Sequence, residues 1–174
     1  MRVVGGTARG RTLQAPAGKT VRPTSDRARE AIFNSLTSLD ALEDAVVLDL
    51  FAGTGAMGIE ALSRGAASAT FVERDRGALA AIRANLDALG FQGRVVPGDA
   101  VAHAAVVGPV DVAFVDPPYA FDQWGALLGH LDARVAVLEA DHPIDVADGW
   151  RVLKVKRFGG TVVTLVQPTS SPAS

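Results

Sequence analysis

The 174-residue chain has no cysteine. That absence excludes disulfides, Cys-ligated zinc, iron–sulfur clusters and every thiolate nucleophile. Histidine is scarce too. His103, His130 and His142 stand apart without ligand spacing, so no metal site is expected. No apolar run approaches the roughly 18 residues of a membrane-spanning helix. Met1–Gly10 lacks the apolar stretch of a signal peptide. A soluble, cytoplasmic protein is the expectation, without a membrane partner.

The composition, 48% hydrophobic and 21% charged, is that of a globular domain. A domain of this size buries roughly 70% of its unfolded surface, enough for a core without staples. The net charge of −2 is unevenly spread. Residues 1–40 carry seven basic and three acidic side chains, a net +4, and the remainder is −6. A basic arm on an acidic body is one way to meet a polyanion. A solvated surface with chance clustering is the other reading.

Arg2–Gly6 and Arg11–Ala15 read as a small hairpin. Pro16–Pro23 is a loop rich in proline, glycine and basic residues. Thr24, Ser25 and Asp26 are N-cap types, and a helix follows to about Ser38 with Ala28, Ile32, Leu36 and Leu39 on one face. Val46–Phe51 reads as a buried strand meeting a glycine turn. Helices are predicted at Met57–Arg64, Ala78–Leu89 and Gln123–Leu131. Strands are predicted at Ala69–Val72, Arg94–Val96, Val110–Val115 and Val135–Leu138. Trp150–Phe158 and Thr161–Val166 flank Gly159-Gly160 and read as a closing hairpin. The organisation expected is a basic hairpin and loop over 1–23, the main domain over 24–167 and a flexible tail over 168–174.

Strands alternating with helices predict an α/β fold, a parallel sheet with helices on both faces. Ligands of such sheets bind beyond the carboxyl ends of the strands. Those ends hold Asp49–Gly58, Glu73, Asp99 and Asp116–Tyr119.

Gly53-Thr-Gly55-Ala-Met-Gly58 fits G-x-G-x-x-G after a strand and before a helix. Such a turn serves NAD, FAD and S-adenosylmethionine alike, and is sometimes only a tight structural turn. Glu73 follows Gly53 by twenty residues at the end of the next strand. A carboxylate there can accept from ribose hydroxyls. Asp49 bears on which ligand binds. It sits inside the apolar run Val46–Phe51, and a buried carboxylate needs partners. A sulfonium ligand with an ammonium group supplies one, whereas a pyrophosphate would be repelled. Asp99 reads either as an acceptor for an adenine amine or as a turn residue.

Asp116-Pro117-Pro118-Tyr119 follows the fourth predicted strand directly. The amine of a nucleobase is a poor nucleophile because its lone pair is delocalised into the ring. The Asp116 carboxylate and the Pro117 carbonyl can draw its N–H groups toward tetrahedral geometry and stabilise the charge that grows on nitrogen. The prolines fix the carbonyl direction. Tyr119 offers a face on which an extruded base can stack.

Val47-Leu-Asp49-Leu-Phe-Ala-Gly53-Thr-Gly55, Glu73, Asp99 and Asp116–Tyr119 together resemble the class I S-adenosylmethionine-dependent methyltransferases. Gly5-Gly6-Thr-Ala-Arg9-Gly10-Arg11 and Arg22-Pro-Thr-Ser-Asp-Arg27-Ala-Arg29-Glu30-Ala-Ile-Phe33-Asn34 narrow the resemblance to bacterial 16S rRNA guanine-N2 methyltransferases of the RsmD type, over roughly residues 1–166. The resemblance implies a three-layer Rossmann-like fold with a mostly parallel seven-stranded sheet and an N-terminal β-hairpin. It implies S-adenosylmethionine as cofactor, S-adenosylhomocysteine as product, and a guanine amine of 16S rRNA as target. Asp49, Phe51, Gly53, Gly55, Glu73, Arg74, Asp99 and Ala100 map to cofactor positions, and Asp116, Pro117, Pro118 and Tyr119 to the catalytic loop. Arg9, Arg11 and Arg22 are the expected rRNA contacts. The expected partner is a small-subunit particle or assembly intermediate, with the enzyme a monomer. The stretch Val135–Ala147 is weakly matched, so Glu139 reads either as structural or as bordering the target base.

Two other functions compete. A DNA amine methyltransferase acting on adenine or cytosine would use the same loop, but no target-recognition domain is visible. A nucleotide-binding module without catalysis would use Gly53–Gly58, and Asp49 speaks against it. Trp124 falls on an apolar helix face and reads as core. Phe121 reads either as pocket lining or as packing. Lys154, Lys156 and Arg157 read as solvated or as an extra phosphate patch.

Overall fold

The computed structural model describes residues 1–18, 24–146 and 148–170. Arg22, one of the expected RNA contacts, and the last four residues of the tail lie outside the described residues.

Short aliphatic runs cannot face water on either side, so they pair and are covered. The strands are β1 (Val46–Leu50), β2 (Ser68–Glu73), β3 (Arg94–Pro97), β4 (Val110–Val115), β5 (Ala133–Ala140), β6 (Trp150–Phe158) and β7 (Thr161–Pro168). They form one seven-stranded sheet in the order β3-β2-β1-β4-β5-β7-β6. The first five are parallel, and β7 runs antiparallel to both β5 and β6. The helices are α1 (Asp26–Ser38), α2 (Ala56–Ser63), α3 (Arg76–Leu89), α4 (Ala100–Ala104) and α5 (Trp124–His130). Ile32, Phe33, Leu36, Ile59 and Ile82 from α1, α2 and α3 cover Phe71, Phe114 and Val137 on one face of the sheet. Ala100, Ala104, Leu127 and Leu128 from α4 and α5 cover Leu50, Val115 and Leu138 on the other. The three-layer, mostly parallel architecture expected from the sequence is therefore present.

Several boundaries differ from the sequence expectation, each for a local reason. Asp75 caps α3 by accepting from the Ala78 amide at 2.9 Å, so the helix starts two residues early, at Arg76. A short helix not expected, α4, forms because Asp99 caps it in the same way through the Ala102 amide. β5 runs over eight residues, past the predicted Leu138, because β7 pairs with it as far as Ala140.

At the N-terminus an antiparallel bridge pairs Arg2 with Thr12, and the amides of Val3, Leu13 and Gly10 donate across to the carbonyls of Arg11, Met1 and Val3 at 2.9, 2.9 and 2.8 Å, without extended strands on either side. Other backbone groups of the arm go to α2. The amides of Val4 and Gly5 donate to the Glu60 carboxylate at 2.8 and 2.7 Å. Those of Thr7 and Ala8 donate to the Ser63 carbonyl and hydroxyl at 2.8 and 2.9 Å. Glu60 and Ser63 are themselves buried, so the arm is fastened to the domain as well as to itself.

The register also places the acids. Phe71, Asp49, Phe114 and Val137 stand side by side across β2, β1, β4 and β5. Side chains alternate along a strand, so Glu73, Asp116 and Glu139, each two residues further on, share that face at the carboxyl edge.

Candidate active site

The crest of the sheet opens into a cavity of about 550 Å³, within the usual range for small-molecule sites. Its floor is the turn after β1. Phe51 has φ 59°, unusual for a bulky residue and costing about 1–3 kcal/mol. An edge-on contact with Phe121, 5.2 Å between ring centres, holds it there. Gly53 and Gly55 follow with φ of 56° and 78°, where a side chain would be strained. The Gly53 amide donates to Glu73 Oε2 at 2.9 Å, tying the turn to β2. Glu73 Oε1 accepts from the Arg74 and Asp75 amides. Three of the carboxylate's roughly four acceptor positions are thereby filled, which leaves one for a ligand hydroxyl. Gly58 sits so close to β2 that a Cβ would lie 2.3 Å from Phe71 Cε1.

Asp49 is buried under this turn, with Oδ2 accepting from the Gly58 amide at 2.9 Å. Burial pushes its carboxyl up to about 8, and the nearby Asp116 and Glu73 add to the rise while the Gly58 bond opposes it. Asp116 is reached by solvent through the cavity mouth but is ringed by protein, and that desolvation pushes it up to about 6. Glu139 is 3% exposed and also pushed up to about 8, by burial first and then by the Asp116 charge. Thr24 Oγ1 donates to its Oε2 at 2.9 Å. Acids crowded together without enough cations hold protons that an incoming cation would displace.

Of the site residues expected from the sequence, Asp49, Phe51, Gly53, Glu73, Arg74, Asp99, Ala100, Asp116, Pro117, Pro118 and Tyr119 all border this one cavity. Gly55 does not; it caps α2 against Phe71 and Ile82. Asp99 keeps its turn role as the cap of α4 while facing the cavity. Tyr119 is half exposed at the mouth, and the Phe121 amide donates to the Pro118 carbonyl at 2.9 Å, closing the loop into a tight turn. Phe121 fulfils both of its readings: it borders the cavity and packs edge-on against Phe51 and Trp124. Arg9 is exposed in a separate cleft with Arg2, Arg27 and Arg64. Arg11 donates to the Ala88 carbonyl at 2.8 Å, a cation at the last turn of α3 where the helix dipole favours it. Lys154 donates to Ser35 Oγ from the exposed strand β6.

Sequence reasoning missed Thr24, Met57, Arg29 and Thr161, which also border the cavity. Arg29 carried a usable signal. It falls among Ala28, Ile32, Phe33 and Leu36, the buried positions of α1, where a charged residue needs a reason to be.

The family model described as conserved hypothetical protein 95 matches residues 1–167. The ribosomal RNA small subunit methyltransferase D of Escherichia coli K12 is 46% identical over 121 residues, 68% of this chain. That match spans 60% of the relative's own length. A Bacillus subtilis protein, YlbH, provisionally described as an rRNA methyltransferase, is 40% identical over 169 residues, covering 94% of this chain and 90% of its own. A solved Escherichia coli chain, yhhF, provisionally described as a methyltransferase, superposes with a TM-score of 0.86 at 35% identity, covering 98% of this chain and 99% of that one.

Proposed function

The chain belongs to the conserved hypothetical protein 95 family, the RsmD type, and from that premise we propose that it methylates the N2 amine of a guanine in 16S rRNA. One observation carries this reading. The glycine turn with its buried Asp49 and the Asp116–Tyr119 segment open onto the same cavity, so a nucleoside cofactor and a base amine can meet there.

The residues present fit S-adenosylmethionine. Glu73 retains an acceptor for a ribose hydroxyl, and Arg74, Asp99 and Ala100 border the same end of the cavity. Among the described residues no cation is in contact with Asp49, which holds a proton that a cationic ligand would displace. When bound, the cofactor supplies a methyl group on positively charged sulfur.

The protein's own part is positioning and charge. With its pKa near 6, the Asp116 carboxyl is mostly ionised at neutral pH and accepts an amine N–H. The Pro117 carbonyl accepts the second. These bonds orient the nitrogen lone pair and stabilise the positive charge that forms as nitrogen gains a carbon substituent. Asp116 then stands where it can take the surplus proton and pass it to solvent through the mouth. Tyr119 stacks on the extruded base. Arg9 and Arg11 engage rRNA phosphates outside the cavity.

The test uses labelled S-adenosylmethionine and small ribosomal subunits from a strain lacking the enzyme, with the product digested to nucleosides and identified by mass spectrometry. N2-methylguanosine is the expected product. Methyladenosine or methylcytidine would replace the substrate, and no label in the subunits together with label in plasmid DNA in a parallel reaction would favour the DNA amine reading.

A further inference from the structure

Three polar side chains on the cavity wall have no part in the transfer described above: Thr24, Arg29 and Glu139. Thr24 occupies Glu139 Oε2, which leaves Oε1 as an open acceptor. Arg29 is fully buried. Its Nη2 donates to Asp26 Oδ1 at 2.6 Å, and Glu60 lies 3.7 Å from Nη1, so its charge is balanced. Yet among the described residues nothing accepts a hydrogen bond from Nε or Nη1. Buried guanidinium donors without acceptors are costly. Two of them on a cavity wall point to an acceptor brought by the ligand.

β4 and β5 pair Val115 with Leu138, so Asp116 and Glu139 are neighbours one step further on. With Glu139 ionised, the wall presents an acceptor at Asp116, a second acceptor at Glu139 and donors at Arg29. We propose that this wall selects guanine by its Watson–Crick edge, with N2–H donated to Asp116, N1–H to Glu139 Oε1, and O6 accepting from Arg29. The inference rests on the amine-transfer reading and adds to it the residues that choose the base.

Adenine and cytosine each carry a ring-nitrogen lone pair beside their exocyclic amine. Either would set that lone pair against ionised Glu139 Oε1. Guanine puts a donor there instead. N1–H requires the ionised form of Glu139; burial and the Asp116 charge push that carboxyl up to about 8 while Thr24 and Arg29 oppose the rise, so selection by this wall strengthens as pH rises toward 8. Selection thus works by rejection as well as by fit, since a wrong base leaves buried polar groups unanswered.

The experiment compares two small-subunit particles, carrying guanine or 2-aminopurine at the methylated position. 2-Aminopurine keeps the reacting amine, has a lone pair at N1 and lacks O6. At about pH 8.5, where Glu139 is mostly ionised, wild-type enzyme is expected to favour guanine in kcat/KM by about 100-fold or more. In Glu139→Gln the Thr24 hydroxyl holds the amide carbonyl and turns the NH2 group to the cavity, where it complements the 2-aminopurine lone pair. The guanine preference should shrink by at least about tenfold. An unchanged ratio, even with both rates lowered, overturns the selection. A wild-type enzyme that makes no N2-methylguanosine overturns the transfer reading, and this inference with it. Cofactor affinity of the variant reports its folding. If it does not fold, Thr24→Val, which frees the carboxylate to rotate, carries the same test: a reduced ratio is expected, and an unchanged one refutes.

Discussion

Asp49→Asn isolates the charge logic of the cavity. A carboxyl with a pKa near 8 is about 90% protonated at pH 7. A cation bound beside it requires the ionised form, so binding must release the proton. The apparent affinity for S-adenosylmethionine should then fall about ninefold from pH 7 to pH 6, approaching tenfold per unit below that. The useful window is about pH 5.5–7.5, below the titration of the ligand's own α-amino group at about 7.7–8.0. Titration calorimetry at pH 7 in two buffers of different ionisation heat should read about 0.9 proton released per ligand. Asn preserves the acceptor for the Gly58 amide but holds no such proton, so the variant should lose affinity at pH 7.5 and lose Asp49's share of the pH slope. The stability sign follows from the same shift. A raised carboxyl favours the folded state fully below its unfolded value of 3.8, and that contribution is lost as pH rises toward 8. Asn should flatten that loss. Asp116 and Glu139 border the same cavity and could release protons too, which makes the comparison decisive. Equal slopes and equal proton release in wild type and Asp49→Asn would refute the assignment of the proton to Asp49.

Asp116→Ala should lower kcat by roughly 10²–10³ while leaving cofactor affinity intact, and full turnover would remove the amine-activating role. In the wild type, kcat/KM should rise with pH through about 6, where Asp116 becomes an acceptor. Neutralising Arg9 and Arg11 should flatten the plot of log binding constant for rRNA against log salt by about 0.7–0.9 per residue that contacts phosphate. An unchanged slope would take both off the RNA surface. Gly58→Ala puts a Cβ 2.3 Å from the Phe71 ring and should cost about 1–3 kcal/mol in denaturant unfolding, whereas an unchanged midpoint would mean the ring has room to move.

The order of elements was legible because buried parallel strands read as predominantly apolar runs, as Val46–Leu50 and Val110–Val115 do with one aspartate each. What was not legible depends on partners remote in sequence. Arg2–Gly6 and Arg11–Ala15 have the look of a hairpin and are bonded across at Val3 and Arg11, but the amides of Val4, Gly5, Thr7 and Ala8 are answered from outside it. Glu60 and Ser63, some fifty residues away, take them. The length of β5 was hidden for the same reason, since it is set by β7.

The site divides along the same line. Asp49, Gly53, Glu73 and Asp116–Tyr119 each sit at the end of a strand, where the fold class alone says ligands bind, so their placement follows once the strands are found. Arg29 and Thr24 sit at the start of α1, before the first strand, and no rule of parallel sheets brings that helix to the crest. What does so is a chain of buried polar contacts. Glu60 on α2 fastens the first residues and balances Arg29, Arg29 holds Asp26, and Thr24 reaches Glu139 on β5. A sequence shows that a charged residue lies on an apolar helix face, but not which carboxylate answers it. The basic arm is therefore more than a source of positive charge: through Glu60 it is coupled to the guanidinium on the cavity wall. If the proposed base selection and RNA contact hold, a change in the arm should alter both the guanine preference and RNA affinity.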